Sequence, residues 1–351
     1  MNRDIPEGRI DVFPLNIPAA DLFAAQSYLV DRIVPDCEHV RLPAKTVPGG
    51  QIRHHPVSGF PAQAAAGRRH RMARLLARGA PEPQPLAGTI GIDLRINSPE
   101  NWAHFLTNHL PLTFLLCQRA GVAPHEVTVL LPAAIPGYIL GIARLLGLRV
   151  QQTDGAVDGP GIGFDLDNWN VLRPLRRTWI LESGMLDVLA QAMTGRDTGA
   201  RRVFLPRRDT RNLTNQAAIE AFLTARGYVT VYPETLDAAG QFALFHHAEE
   251  IVAVHGAGLA PLLYRQPDAP PQRLVEIMPC GHMTDVYRVM CQQVGCGWTG
   301  VRGRIKPEYV NDLYRIGTPF TRYSLDPFEV DPLSLERALA ASQDNAAVSD
   351  G

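Results

Sequence analysis

The chain has 351 residues, 46% hydrophobic and 20% charged, with a formal net charge of −1. That balance excludes a disordered chain and provides no overall field to draw nucleic acid. The length exceeds one ordinary core, so two domains are expected. Lys45 and Lys306 are the only lysines, so the positive charge is nearly all arginine, the better side chain for bidentate phosphate contacts. The five cysteines, Cys37, Cys117, Cys280, Cys291 and Cys296, are odd in number and scattered, which argues for a reducing compartment rather than a disulfide framework. The start shows no apolar core of signal-peptide length, and no apolar run reaches the roughly 18 residues of a membrane helix. A cytoplasmic location follows, with peripheral membrane association left open.

Residues 1–88 are rich in proline and short apolar pieces and read as irregular, with a basic helix over Ala64–Gly79. From Thr89 the pattern is regular. "TIGIDLRI" predicts a strand, and "ENWAHFLTNHLPLTFLLCQRAG" a helix interrupted or kinked near Pro111. "EVTVLLP" predicts a strand, "GYILGIARLLGL" a helix and "RVQQT" a strand. The Gly-, Asp- and Trp-rich residues 154–180 predict loops, and "LESGMLDVLAQAMTG" a helix ending on Gly195. Alternation then restarts with strands at "RRVFLP", "YVTVYP", "IVAV" and "RLVEIMP" and helices at "NQAAIEAFLTARG", "AAGQFALFHHAEE", "GLAPLLYR" and "MTDVYRVMCQQVG". Strands alternating with helices imply parallel βαβ units, hence an α/β fold. The expected domains are 1–195, 196–325, and a terminal helix with polar tail over 326–351. Two Rossmann-like halves would bind ligands at the carboxyl ends of their strands.

In "IVAVHGAGLAPLLY" a buried strand ends on His255 and turns through Gly256, Ala257 and Gly258 into a helix. Glycines there can adopt positive φ or admit a ligand to the backbone, and a helix start suits an anion. Arg207, Arg208 and Arg211 follow a predicted strand of the same half and could converge on anionic oxygens. Glu276, in "RLVEI", can accept ribose hydroxyls at another strand end. Each piece alone is equally compatible with a turn, a solvated surface or a structural histidine.

Taken in order, "VFLPR…R…N", "ETLDAAGQFALFHHAEEIVAVHGAGL" and "VEI" resemble glycosyltransferase family 61. Arg207, Arg211, Asn215, Gln241, His255, Gly256, Gly258 and Glu276 fall on that pattern, and "NWAHFLTNHLPL" is similar to the family's aromatic and His-containing helix. Pro261 and Gln216 depart from it and leave the donor sugar unassigned. The resemblance implies a GT-B-like fold, two Rossmann-like domains facing across a cleft. The C-terminal half would hold a nucleotide-sugar donor, with Ala257 among the donor-binding residues, and the N-terminal half a glycan or lipid-linked glycan acceptor. It also implies inversion at the anomeric carbon; the arginine bias and the absence of an apolar anchor add the expectation of bacterial surface polysaccharide biosynthesis, of the capsular type. Inversion needs a general base and positive charge for the departing diphosphate. Arg207, Arg211 and the glycine corner could supply the charge without a metal or other cofactor. His104 is the favoured base and Asp93 the reserve. His109, about 140° further around an α-helix, would face elsewhere.

Other signals weigh less. Asp165 and Asp167 form a D-x-D, a divalent-metal signature in the other large glycosyltransferase fold. Cys280, His282, Cys291 and Cys296 lack zinc-knuckle spacing. "HGAG" resembles an α/β-hydrolase oxyanion loop, but no G-x-S-x-G elbow occurs. Arg68, Arg69, Arg71, Arg74 and Arg78 could form a solvated face or rest on anionic lipid. The alternative function is a non-catalytic scaffold that holds a nucleotide or glycan.

Overall fold

The computed structural model describes residues 5–24, 38–63, 82–197, 199–306 and 323–347. Its contacts divide the chain into two α/β units, Met1–Leu15 with Pro48–Ala192, and Asn16–Val47 with Met193–Gly351. The single N-terminal domain expected over 1–195 is thereby corrected: residues 16–47 join the second unit. The helix Pro332–Ala347, set apart in the sequence reading, shares the second unit's core through Leu335, Ala338 and Leu339. The expected basic helix with Arg68 to Arg78 lies outside the described residues, as does Cys37. Among the described residues no helix is long and apolar enough to cross a membrane.

In the first unit, Ile90–Asp93, Val127–Leu131 and Arg149–Gln152 run parallel, as their apolar patterns predict. Val157–Leu166 extends the sheet on the far side of Ile90–Asp93, followed by Gly50–Phe60 and Gly8–Val12, which pair antiparallel. A strand thus occupies a stretch expected to be loop. Its glycines hide it: a side chain at Gly161 would collide with the Phe60 ring, and one at Gly163 with His55 and Val57. Close packing removed the alternating apolar residues that mark a strand.

In the second unit, five parallel strands stand in the order Val229–Thr230, Arg202–Leu205, Glu250–Val254, Gln272–Met278, Cys296–Arg302. Ala20–Ala24 adds in parallel at the edge and Glu38–Leu42 antiparallel beyond it. Phe204, Val252, Val254, Val275, Ile277 and Val301 build the core, covered by Ile219 and Leu223 of the helix Gln216–Thr224. The order of the five strands, 2-1-3-4-5 in chain sequence, is that of a doubly wound sheet.

Candidate anion site at the strand ends

The first of those five strands, Arg202–Leu205, has the second on one side and the third on the other. Its two flanking connections diverge, and a crevice opens at the carboxyl ends where they part. Arg207 follows the first strand by two residues, and His255 follows the third directly.

The corner at Gly256 has a different geometry from the one expected. Gly256 is extended, at φ 172° and ψ 174°, and neither it nor Gly258 is left-handed. Gly256 is needed for approach instead: a Cβ there would collide with Nη1 of Arg207, so the guanidinium lies against the bare backbone. The helix that follows, Ala257–Tyr264, is a 3-10 helix containing Pro261 rather than an α-helix. Its first N–H groups, at Ala257 and Gly258, have no acceptor within their own helix. Tyr287 Oη donates to the Gly256 carbonyl at 2.5 Å and fixes the peptide from behind.

Arg207 donates from Nε to Thr210 O at 2.8 Å and from Nη2 to Thr210 Oγ1 at 3.1 Å. Arg211 donates from Nε to Ser324 O at 2.7 Å, and its backbone N–H donates to Leu325 O. That anchoring places Arg211 at φ 61°, a left-handed conformation uncommon outside glycine. The arginine loop is stitched to 324–330 by further bonds, Thr214 N–H to Phe328 O and Phe328 N–H to Asn212 O. Both arginines are half-buried, and among the described residues neither has a carboxylate partner. Burial, then the nearby Arg207 charge, lowers the Arg211 pKa. Arg208 turns away, with its guanidinium 3.7 Å from the Tyr232 ring centroid and Glu234 nearby.

Four residues expected to touch a donor have their side chains engaged within the protein. Glu276 is fully buried inside a strand that runs on to Met278, and both its oxygens are taken. His255 Nδ1 meets Oε1 at 2.5 Å, and Trp298 Nε1–H donates to Oε2 at 2.7 Å. No lone pair of Glu276 is presented to a ribose, which corrects that expectation. His255, 3% exposed, is buried with it and packs against the rings of His282 and Tyr287. Asn215 spends its amide on Val330, donating to O at 2.7 Å and accepting from N. Gln241 is buried on the helix Ala238–His247, with Nε2 directed to Leu236 O. His255 and Glu276 support the corner from within, while Asn215 and Gln241 are engaged with Val330 and Leu236.

His282 is the residue sequence reasoning missed. It was considered only for zinc, yet its ring centre lies 4.8 Å from that of His255. Burial, then Arg211 and His255, push its pKa down to about 4. Its position just after the fourth strand's carboxyl end was the signal that could have found it. Cys291 and Cys296 are free thiols that hydrogen-bond to each other. Among the described residues no group of three or more His, Cys, Asp or Glu is placed to share a metal ion. Asp165 side-chain exposure is 71%, and Asp167 is also exposed.

In the first unit, His104 and Asp93 differ sharply. Asp93 accepts from Arg95 N, Nε and Nη2 and from Gln63 Nε2 at 2.8–3.1 Å. Its lone pairs are occupied, which removes the case for it as reserve base. His104 is half-buried, with Nδ1 3.2 Å from Asn97 O. The carbonyl requires a donor, so Nδ1 carries the proton and Nε2 keeps a lone pair. Asn97 and Ser98 are both left-handed, at φ 57° and 54°, a strained turn that presents that carbonyl. The helix Trp102–His104 passes into a π-helix, Phe105–His109, before Leu110–Ala120. Pro111 has no N–H for the preceding turn, and Leu110 N–H bonds back to Phe105 O. His109 is fully buried, Nδ1 at 3.0 Å from His104 O and Nε2 at 2.8 Å from Ile96 O. Burial lowers its pKa.

Two arginines and the first amides of a helix thus meet at the switch point of a doubly wound sheet, an arrangement suited to an anion. Residues 102–272 match the family model described as Glycosyltransferase 61. The match covers just under half of the chain, and over that stretch the chain is similar to a family of glycosyltransferases. It takes in His104, Arg207, Arg211 and the 255–258 corner and stops before Glu276, His282 and Tyr287. A search of curated proteins finds no match.

Proposed function

We propose that the chain is an inverting glycosyltransferase that moves a sugar from a nucleotide-diphosphate donor to a free or lipid-linked glycan, in surface polysaccharide biosynthesis. On this reading the two units are the halves of a GT-B-type enzyme. The second holds the donor and the first supplies the base. The observation that carries it is the pair Arg207 and Arg211, half-buried without a described carboxylate partner, with Arg207 set against Gly256 at the switch point. Such a pair costs stability unless an anion visits it.

In the reaction, Nε2 of His104 takes the acceptor hydroxyl proton. The freed oxygen attacks the anomeric carbon as the bond from that carbon to the phosphate oxygen breaks. The electron pair stays on the diphosphate, where the arginines and the corner amides offset its growing charge. No resident cofactor enters this scheme, and the chemistry is assigned to the cytoplasm, with peripheral membrane contact reserved for a lipid-linked acceptor.

The test is sugar transfer, or slow donor hydrolysis, across a panel of nucleotide sugars. Turnover with one donor supports the proposal. Tight nucleotide binding without turnover on any acceptor would favour the scaffold reading.

A further inference from the structure

The donor-site reading leaves His282 without a task, although it stands beside the arginines. Its backbone N–H closes a tight turn onto Pro279 O at 3.0 Å, immediately beyond the fourth strand. Its ring packs on His255 and feels the charge of Arg211. Among the described residues no group hydrogen-bonds to either ring nitrogen, and the side chain is half-buried rather than free in solvent. The groups that face it are cationic or neutral: Arg211 from the 207–211 turn and His255 from the third strand. One step behind stand Arg207, Tyr287 from the helix Val286–Val294, and Glu276, already bound to His255 and Trp298. Burial first, and then the neighbouring charges, keep an imidazole in that position neutral, and it becomes basic when a negative ligand offsets them.

Resting on the proposed donor site, we propose that His282 is a third ligand of the leaving diphosphate and takes up a proton as the terminal phosphate gains its second charge. Before transfer that phosphate is esterified to the sugar and carries one negative charge. When the bond to the anomeric carbon breaks, the electron pair remains on the phosphate oxygen, which becomes doubly charged. A proton from solvent moves to a ring nitrogen of His282, and the imidazolium donates a hydrogen bond to that oxygen. The product complex is thereby held in acid and loosened as pH rises, so His282 would couple release of the nucleoside diphosphate to pH.

The experiment is calorimetry of ADP, CDP, GDP, UDP and dTDP, with the corresponding monophosphates, at pH 7 in two buffers of different ionisation enthalpy. Wild type, His282→Gln and His282→Ala are compared. At that pH the terminal phosphate has already lost its second proton in all three complexes, so the difference in proton uptake belongs to His282. The expected result for the diphosphate that binds is roughly one extra proton taken up by wild type relative to both variants. Affinity of the Ala variant for the diphosphate should fall roughly tenfold or more, with the monophosphate little changed. Equal proton uptake by wild type and variants, or equal losses for mono- and diphosphate, would overturn the inference while leaving the donor site standing. If no diphosphate binds wild type, the donor-site reading itself falls. Far-ultraviolet circular dichroism and urea unfolding establish that the variants are folded, which is expected because the imidazole has no described hydrogen-bond partner to lose.

Discussion

Arg207 and Arg211 carry the account at the scale of single residues. Each is anchored to carbonyl oxygens by Nε, which leaves other guanidinium hydrogens for a ligand. Replacing either with Ala should remove charge-assisted hydrogen bonds worth ~1.5–3 kcal/mol, a loss of roughly ten- to a hundredfold in nucleoside diphosphate affinity. Unchanged calorimetric affinity in both variants would move the diphosphate elsewhere. The two histidines of the π-helical region should part company. His104→Ala is expected to bind nucleotide normally and lose roughly 10²–10⁴-fold in single-turnover transfer, as a missing general base does. His109→Ala removes a buried imidazole whose single N–H donates to one of two backbone carbonyls, His104 O or Ile96 O, and should cost roughly 1–3 kcal/mol in urea unfolding. Mild, equal effects of both changes would make His104 structural. The place of Arg207 just past a strand was legible because the apolar run "VFL" ends on a proline. Glu276 was misread because its strand continues two residues further and its burial depends on Trp298, which no local pattern links to it.

At the scale of elements, the corner after Val254 separates two glycines that look alike in the sequence. A methyl group at Gly256 must displace the Arg207 guanidinium, whereas at Gly258 it meets only Pro233 at ordinary contact distances of 3.4 and 3.7 Å. Gly256→Ala should therefore mimic Arg207→Ala in diphosphate titrations with the fold intact, and Gly258→Ala should bind nearly as wild type. The opposite order would show that backbone conformation, not guanidinium approach, sets the glycine requirement. The parallel strands of both units were readable because their apolar runs are bounded by turns. The strand Val157–Leu166 was not, since its glycines are dictated by Phe60 and His55, which lie about a hundred residues earlier in the chain. The 3-10 helix at Ala257–Tyr264 replaced an expected α-helix because Pro261 withholds an N–H.

At the scale of the whole molecule, the two units were anticipated but their boundaries were not. The chain visits the second unit over 16–47 and returns, and short proline-bounded strands give no local sign of which sheet they join. Four buried or half-buried histidines, His54, His109, His246 and His282, have pKa values lowered chiefly by burial from the ordinary 6.5. The unfolded chain then binds more protons below that value, so stability should decline as pH falls from about 6.5 towards about 4, the value for His282. Urea midpoints at pH 7 and pH 5 check this; an equal or higher midpoint at pH 5 would contradict it. If arginines carry the leaving-group charge, EDTA should leave turnover largely intact. Loss restored by manganese would shift the weight to Asp165 and Asp167. The central claim is that the second unit's switch point binds a nucleoside diphosphate. Its most direct test is calorimetric titration of the common nucleoside diphosphates into wild type and into Arg207→Ala/Arg211→Ala. Saturable binding of one diphosphate by wild type, lost in the double variant, is the predicted result; no binding by wild type, or equal binding by both, would contradict it.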